Sequence, residues 1–188
     1  MKIETSLVKK LRITELDDLD PITVYLEDFE LGRGKITIDC WGKSWTSFWG
    51  AMGGQNIAQF FCGCNDSYLI NNLDSSIQKL EPDFEMFTKE VRKKICEMRK
   101  DNWPSFMDGH LSKELARELY DIEDWSEYVT DNPYEPIRCP SRIDEDEFEK
   151  LDFNGFDVPE RVTTEYLYLK KIIQTVQNAL KQDSIKAA

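Results

Sequence analysis

The residue types able to do covalent or metal chemistry are few in this 188-residue chain and unevenly placed. There is one histidine, His110, so any Ser-His or Cys-His mechanism would have to use it, and no nucleophile motif accompanies it. It stands just before a helix that Ser112 would cap, where a histidine is ordinarily a solvated or capping residue. The five cysteines, Cys40, Cys62, Cys64, Cys96 and Cys139, are odd in number, fit no paired framework, and read as free thiols of a reducing compartment. Cys62-Gly63-Cys64 is too closely spaced for a zinc knuckle, and no second Cys or His pair stands where it would complete four ligands. The inventory favours a protein without metal or cofactor, and a binding protein over an enzyme.

Two glycine-rich stretches and one acidic run test that reading. Gly32-Arg33-Gly34-Lys35 lacks the four-residue interval of a phosphate loop and sits between strand-like segments, so it reads as a turn. Gly50-Ala51-Met52-Gly53-Gly54 lies between a strand-like segment and a helix. Backbone N–H groups there could hold an anion, but a sharp turn needing positive φ explains the glycines more simply. Asp144-Glu145-Asp146-Glu147 lacks the alternating ligands and central glycine of a calcium loop and reads as a solvated charge run. A small metal-dependent nuclease built on Asp39 ranks third among functions, because no spacing selects its second acid.

Trp41, Trp45 and Trp49 recur every four residues with Phe48 beside them, which puts them near one another on either a helix or a strand. Core packing is the ordinary use of such a cluster. An exposed version would stack single-stranded bases while Lys35 and Lys43 touch phosphates, which makes a nucleic-acid accessory protein the second function in rank.

Carboxylates are the most concentrated feature. Residues 101–160 hold 18 acids against five bases, whereas the remaining residues hold 18 acids against 19 bases. On a helix capped by Ser112, Glu114, Glu118, Asp121 and Asp124 would stand at steps of four, three and three, one carboxylate per turn of about 5.4 Å along one face. Glu127, Asp144, Glu145, Asp146, Glu147 and Glu149 follow. Trp125, Tyr128 and Tyr134 lie among these acids as candidate aromatic anchors, since charge speeds encounter while buried rings supply affinity. Such a surface can imitate the negative charge of a nucleic-acid backbone and occupy the basic groove of a DNA-binding protein. A merely solvated surface is the plain alternative.

The stretch Gly34 to Leu73 carries the strand Gly34-Lys35-Ile36-Thr37-Ile38 and the turn Trp49-Gly50-Ala51-Met52-Gly53. It resembles uncharacterised small acidic proteins encoded by bacteriophages and prophages of enterobacteria. The resemblance implies a phage setting, no activity and no functional residue. Joined to the carboxylates, it gives the first-ranked function: a stoichiometric, cofactor-free inhibitor or modulator of a basic host protein, a DNA-processing or defence nuclease. The protein would act as a monomer or homodimer in the host cytoplasm, away from membranes.

Periodicity supplies the elements that must carry these residues. With 40% apolar and 12% aromatic content the chain can bury one sizeable core, so a single domain is expected. No run approaches the roughly 18 apolar residues that span a bilayer, and the first residues lack a signal-peptide layout. Alternation over 6–13, 22–31 and 35–41 predicts a three-stranded antiparallel sheet. Short helices follow at 56–61 and 66–72, then a longer one capped by Asp83 with the stripe Phe84, Phe87, Val91, Ile95 and Met98. Pro133, Pro136 and Pro140 mark residues 130–158 as an extended acidic connector. Asp157 and Glu160 have capping-box spacing before a seam of Val162, Tyr166, Leu169, Ile173, Val176 and Leu180, predicted to pack on the chain's own sheet. The expectation is an α+β fold, mainly β over 1–54, helical over 55–129, and closed by a long helix over 159–183. Its three-stranded sheet packs against four to five helices.

Overall fold

Polar and β-branched residues alternate along the first half of the chain, and each alternation becomes a strand whose apolar positions turn to one side. The computed structural model describes residues 1–3, 5, 7–100, 111–130, 137–149 and 157–186. Strands β1 (Lys9–Ile13), β2 (Ile22–Glu30), β3 (Arg33–Cys40) and β4 (Lys43–Trp49) form an antiparallel meander in the order β1-β2-β3-β4. The sheet therefore has four strands, not the expected three. The added strand follows from Trp41-Gly42, a two-residue turn in which both residues have positive φ (47° and 73°), the backbone twist that returns a strand directly as a hairpin.

One face of this sheet is covered by helices α1 (Ile57–Gly63), α2 (Asp66–Leu73) and α6 (Thr164–Lys186). Ile22, Val24, Ile36 and Ile38 from the strands meet Phe61, Leu69, Ile172, Ile173 and Val176 from the helices, all inaccessible to solvent. Each side chain so buried contributes about 1.5–3 kcal/mol over its exposed state. Asn56 and Gln59 form a reciprocal cap at the start of α1, whose first N–H donates to Asp28 Oδ1 at 2.7 Å. Gly34 is required by this approach, since a Cβ there would lie 2.9 Å from the Ile57 Cβ and 3.0 Å from the Glu27 carbonyl oxygen. At the other end of α1, buried Gln177 donates through Nε2 to the carbonyls of Phe61 and Cys64, both at 2.9 Å.

The last helix begins later than the capping-box spacing suggests. Glu160–Val162 forms strand β6, paired with β5 (Leu80–Pro82), and Thr163 caps α6 instead. The Thr163 hydroxyl donates to the Gln78 carbonyl at 2.6 Å and accepts from Tyr166 N–H at 3.2 Å. The seam holds from Tyr166 through Leu180 and packs into the sheet's core, while Val162 stays exposed.

The chain clusters into two compact units, residues 1–79 with 162–188 and residues 80–161. Unit 1 is the sheet with α1, α2 and α6. Unit 2 contains α3 (Phe84–Lys100), α4 (Lys113–Tyr120), a 3-10 turn at Ser126–Tyr128 and α5 (Glu145–Glu149). Six α-helices thus occur among the described residues, more than the four to five expected. Unit 2 has its own core, in which Phe87, Val91 and Ile95 of α3 meet Leu115, Leu119 and Trp125. Within the stretch read as an extended connector, Ile137, Ile143 and Phe148 are buried in this core, and Val129 bridges to Ile137. No helix among the described residues is long and apolar enough to cross a membrane.

Candidate partner-binding surface

Burial of Leu115, Ala116 and Leu119 fixes how α4 faces the core and leaves Glu114 and Glu118 in solvent. The expected row of four carboxylates on one helix does not form, because α4 stops at Tyr120. The cause is Arg92 of α3. Its Nε donates to the Tyr120 carbonyl at 3.0 Å and its Nη2 to the Ile122 carbonyl at 2.9 Å. These are the acceptors that a continuing helix would offer to the N–H groups of Asp124 and Ser126. The Ser126 N–H turns instead to Asp124 Oδ1 at 2.8 Å, and the Ser126 hydroxyl and N–H together hold the Asp124 carboxyl below the usual range. Asp121 becomes the C-cap of α4, and Ile122 and Trp125 turn inward.

The acidic run at 144–149 has a partly local explanation. Asp144 Oδ1 accepts from Glu147 N–H at 3.1 Å, and Glu145, Asp146 and Glu147 occupy the first turn of α5. Carboxylates there face the positive end of the helix, each worth about 0.3–1 kcal/mol. Phe148 anchors this helix in the core while Glu149 stays outside.

All ten expected carboxylates, Glu114, Glu118, Asp121, Asp124, Glu127, Asp144, Glu145, Asp146, Glu147 and Glu149, are exposed. None of them is in an ion pair among the described residues. Three arginines of unit 2 serve backbone carbonyls. Besides Arg92, Arg99 donates to the Leu111 carbonyl at 3.4 Å and Arg142 to the Glu118 carbonyl at 3.2 Å. By sequence, unit 2 carries 23 acids against 12 bases and unit 1 carries 13 against 12.

The aromatic anchors need correction. Trp125 is fully buried, and its ring meets half-buried Tyr128 edge-on at 5.7 Å between centroids. It is a core residue of unit 2, with Leu119 and Ile122 six and three positions before it as the signal that marks it. Tyr134 and His110 lie outside the described residues. Sequence reasoning missed exposed Tyr120, whose ring carries the Arg92 guanidinium 5.3 Å from its centroid.

The five residues of the alternative nucleic-acid face do not share a surface. Trp45 and Trp49 are buried under the helices, and Trp49 Nε1 donates to the Tyr68 hydroxyl at 2.9 Å. Trp41 is 77% exposed in the hairpin turn. Lys35 pairs with Phe48 on the opposite side of the sheet, and Lys43 is exposed where β4 begins. Asp39 accepts from the Ser44 hydroxyl at 2.6 Å, and no group of three or more potential metal ligands occurs among the described residues. The five cysteines are free, and burial pushes the Cys62, Cys64 and Cys139 thiols up, away from reactive thiolates.

No curated protein and no solved structure matches the chain. Residues 1–182, spanning both units, match a phage protein family, and the chain belongs to that family.

Proposed function

We propose that this phage protein is a non-enzymatic modulator that binds a basic host protein, a DNA-processing enzyme or a defence nuclease, through the acidic surface of unit 2. The observation that carries the reading is the set of ten exposed carboxylates with no ion-pair partner among the described residues, on a unit with 23 acids and 12 bases. Counter-charges are at hand in Arg92, Arg99 and Arg142, yet their guanidinium groups are committed to carbonyl oxygens. The excess of 23 acids over 12 bases leaves a negative field acting outward, where it accelerates encounter with a cationic groove and repels nucleic acid. Because Asp121 and Asp124 fall beyond the end of α4 and break the expected row of four carboxylates, the reading rests on charge density and not on phosphate-like spacing. Binding is stoichiometric and needs no cofactor.

The test is affinity capture from bacterial lysate at low salt, followed by kinetics with the purified partner. Reversing Glu118, Asp121, Asp146 and Glu147 together to lysine is expected to lower the association rate on the order of 100-fold, and rising salt is expected to lower the rate of the unaltered protein. A partner whose binding ignores both changes would eliminate the proposal.

A further inference from the structure

We infer that the uncovered face of the unit 1 sheet is a platform for single-stranded nucleic acid. Strand parity determines what lies there. With Ile22, Val24, Ile36, Ile38, Trp45 and Trp49 turned to the helices, the alternate residues of each strand face the other way. One cross-strand row runs Lys10, Tyr25, Thr37, Thr46, and the next runs Glu27, Lys35, Phe48. This is the reverse side of the sheet from Trp45 and Trp49, and a different set of rings from the tryptophans.

Three observations point to the same ligand class. First, Phe48 and Phe29 are 51% and 52% exposed with ring centroids 5.9 Å apart, so apolar π faces are held in solvent on a rigid sheet. Second, cations accompany the rings. The Arg33 guanidinium is 5.9 Å from the Phe48 centroid and Lys10 Nζ is 5.4 Å from the Tyr25 centroid, while Lys35 flanks Phe48 across the strand pair. Third, charge on this face is opposite in sign to the chain. Lys10, Arg12, Arg33 and Lys35 stand against Glu27, Glu30 and Asp39, with Arg33 ion-paired to Glu30, an excess of one cation in a protein of net charge −12.

Stacking on rings tolerates any base but requires bases that are not already paired, and the cations supply the phosphate contacts. Tyr25 and Phe48 lie two strands and one row apart, about 12 Å, so bases two positions apart on an extended strand can use both rings. A duplex offers this face only its backbone, and an acidic peptide offers no flat rings to stack. The inference concerns unit 1 alone and does not rest on the acidic-surface reading of unit 2.

The experiment is fluorescence anisotropy of the full chain with a labelled mixed-sequence 20-nucleotide single strand, as DNA and as RNA, at low salt. Binding is expected with a log–log salt slope no steeper than about −3, since about 0.7 counterions are released per phosphate contact and four cations are present. Phe48→Ala and Tyr25→Ala should each weaken binding about tenfold. Phe48→Leu, which keeps an apolar side chain at an exposed position, should weaken it as much, whereas Phe48→Trp should retain it. Replacing Lys10, Arg12 and Lys35 by glutamine should flatten the salt slope by about 2. The unit 2 charge reversal described above should leave strand binding at least as strong, which separates failure of one proposal from failure of the other. Absence of binding at low salt would overturn the inference. So would equal affinity in Phe48→Leu, or equal competition by duplex DNA or by polyglutamate.

Discussion

The two units of this chain differ in charge balance, and the acids from 114 to 149 differ from those of unit 1 in having no ion pair among the described residues. In unit 1 the acids are drawn into ties that close the fold: Lys9 meets Asp183 at 2.6 Å, Lys171 meets Asp18 at 3.0 Å, and Asp66 accepts from Gln174 at 2.7 Å. In unit 2 the acids from 114 to 149 find no such partners among the described residues, and arginine serves as a backbone cap. The contrast teaches that the net charge of −12 is not a property of the whole surface. The excess belongs to unit 2, with 23 acids against 12 bases, whereas unit 1 is nearly balanced at 13 against 12.

Core truncation tests that separation most severely. Phe61→Ala in unit 1 should cost about 3–5 kcal/mol and Leu119→Ala in unit 2 about 2–5 kcal/mol. Hydrogen exchange should show the second loss in α3 and α4, with the amides of β2 and β3 still protected; a loss spread evenly over both cores would break the comparison. Arg92→Ala, which orphans two carbonyls, should cost about 2–3 kcal/mol in urea unfolding. Arg92→Lys should not restore it, because one ammonium cannot reproduce the forked geometry.

A pH effect sharpens the comparison from the side of unit 1. The hydrogen bond between Tyr168 and Cys40, then burial and the neighbouring Cys40 and Asp20, push the tyrosine up to about 12 from its usual 10.0. The folded state therefore keeps a proton that the unfolded chain releases, so stability is intact below about pH 10 and declines as pH rises toward 12. Tyr168→Phe should flatten that alkaline decline in thermal melts. The smallest effect is expected at the surface tie: Lys9→Ala should change stability by less than about 1 kcal/mol, and the difference should shrink in added salt.

How much was legible in the sequence follows from where local pattern decided the outcome. Ile22, Val24 and Leu26, then Ile36, Ile38 and Cys40, alternate cleanly and became the inner strands. The stripe of Phe87, Val91 and Ile95 and the seam from Tyr166 to Leu180 likewise became buried helix faces. β4 was hidden because its turn uses tryptophan at positive φ and because the adjacent rings of Phe48 and Trp49, one outside and one inside, blur the alternation. The carboxylate row failed for a tertiary reason: the side chain that ends α4 comes from Arg92, 28 residues before Tyr120. The start of α6 was displaced for a similar reason, since Glu160–Val162 is claimed by pairing with β5. Exposure of the ten acids was legible from composition, whereas the burial of Trp125 was masked by the charges around it.

The position of α6 in the chain has a consequence for synthesis. Its residues Leu169, Ile172, Ile173 and Val176 cover the apolar face of a sheet completed by residue 49, yet they are translated after the whole of unit 2. At about 5–20 residues per second that face waits about 4–16 s on the ribosome without α6, while the 82 contiguous residues of unit 2 emerge. A nascent chain halted before Thr164 would carry the four-stranded sheet covered only by α1 and α2, with the apolar surface that α6 buries left open, so a premature stop there should yield aggregates and not a smaller working protein.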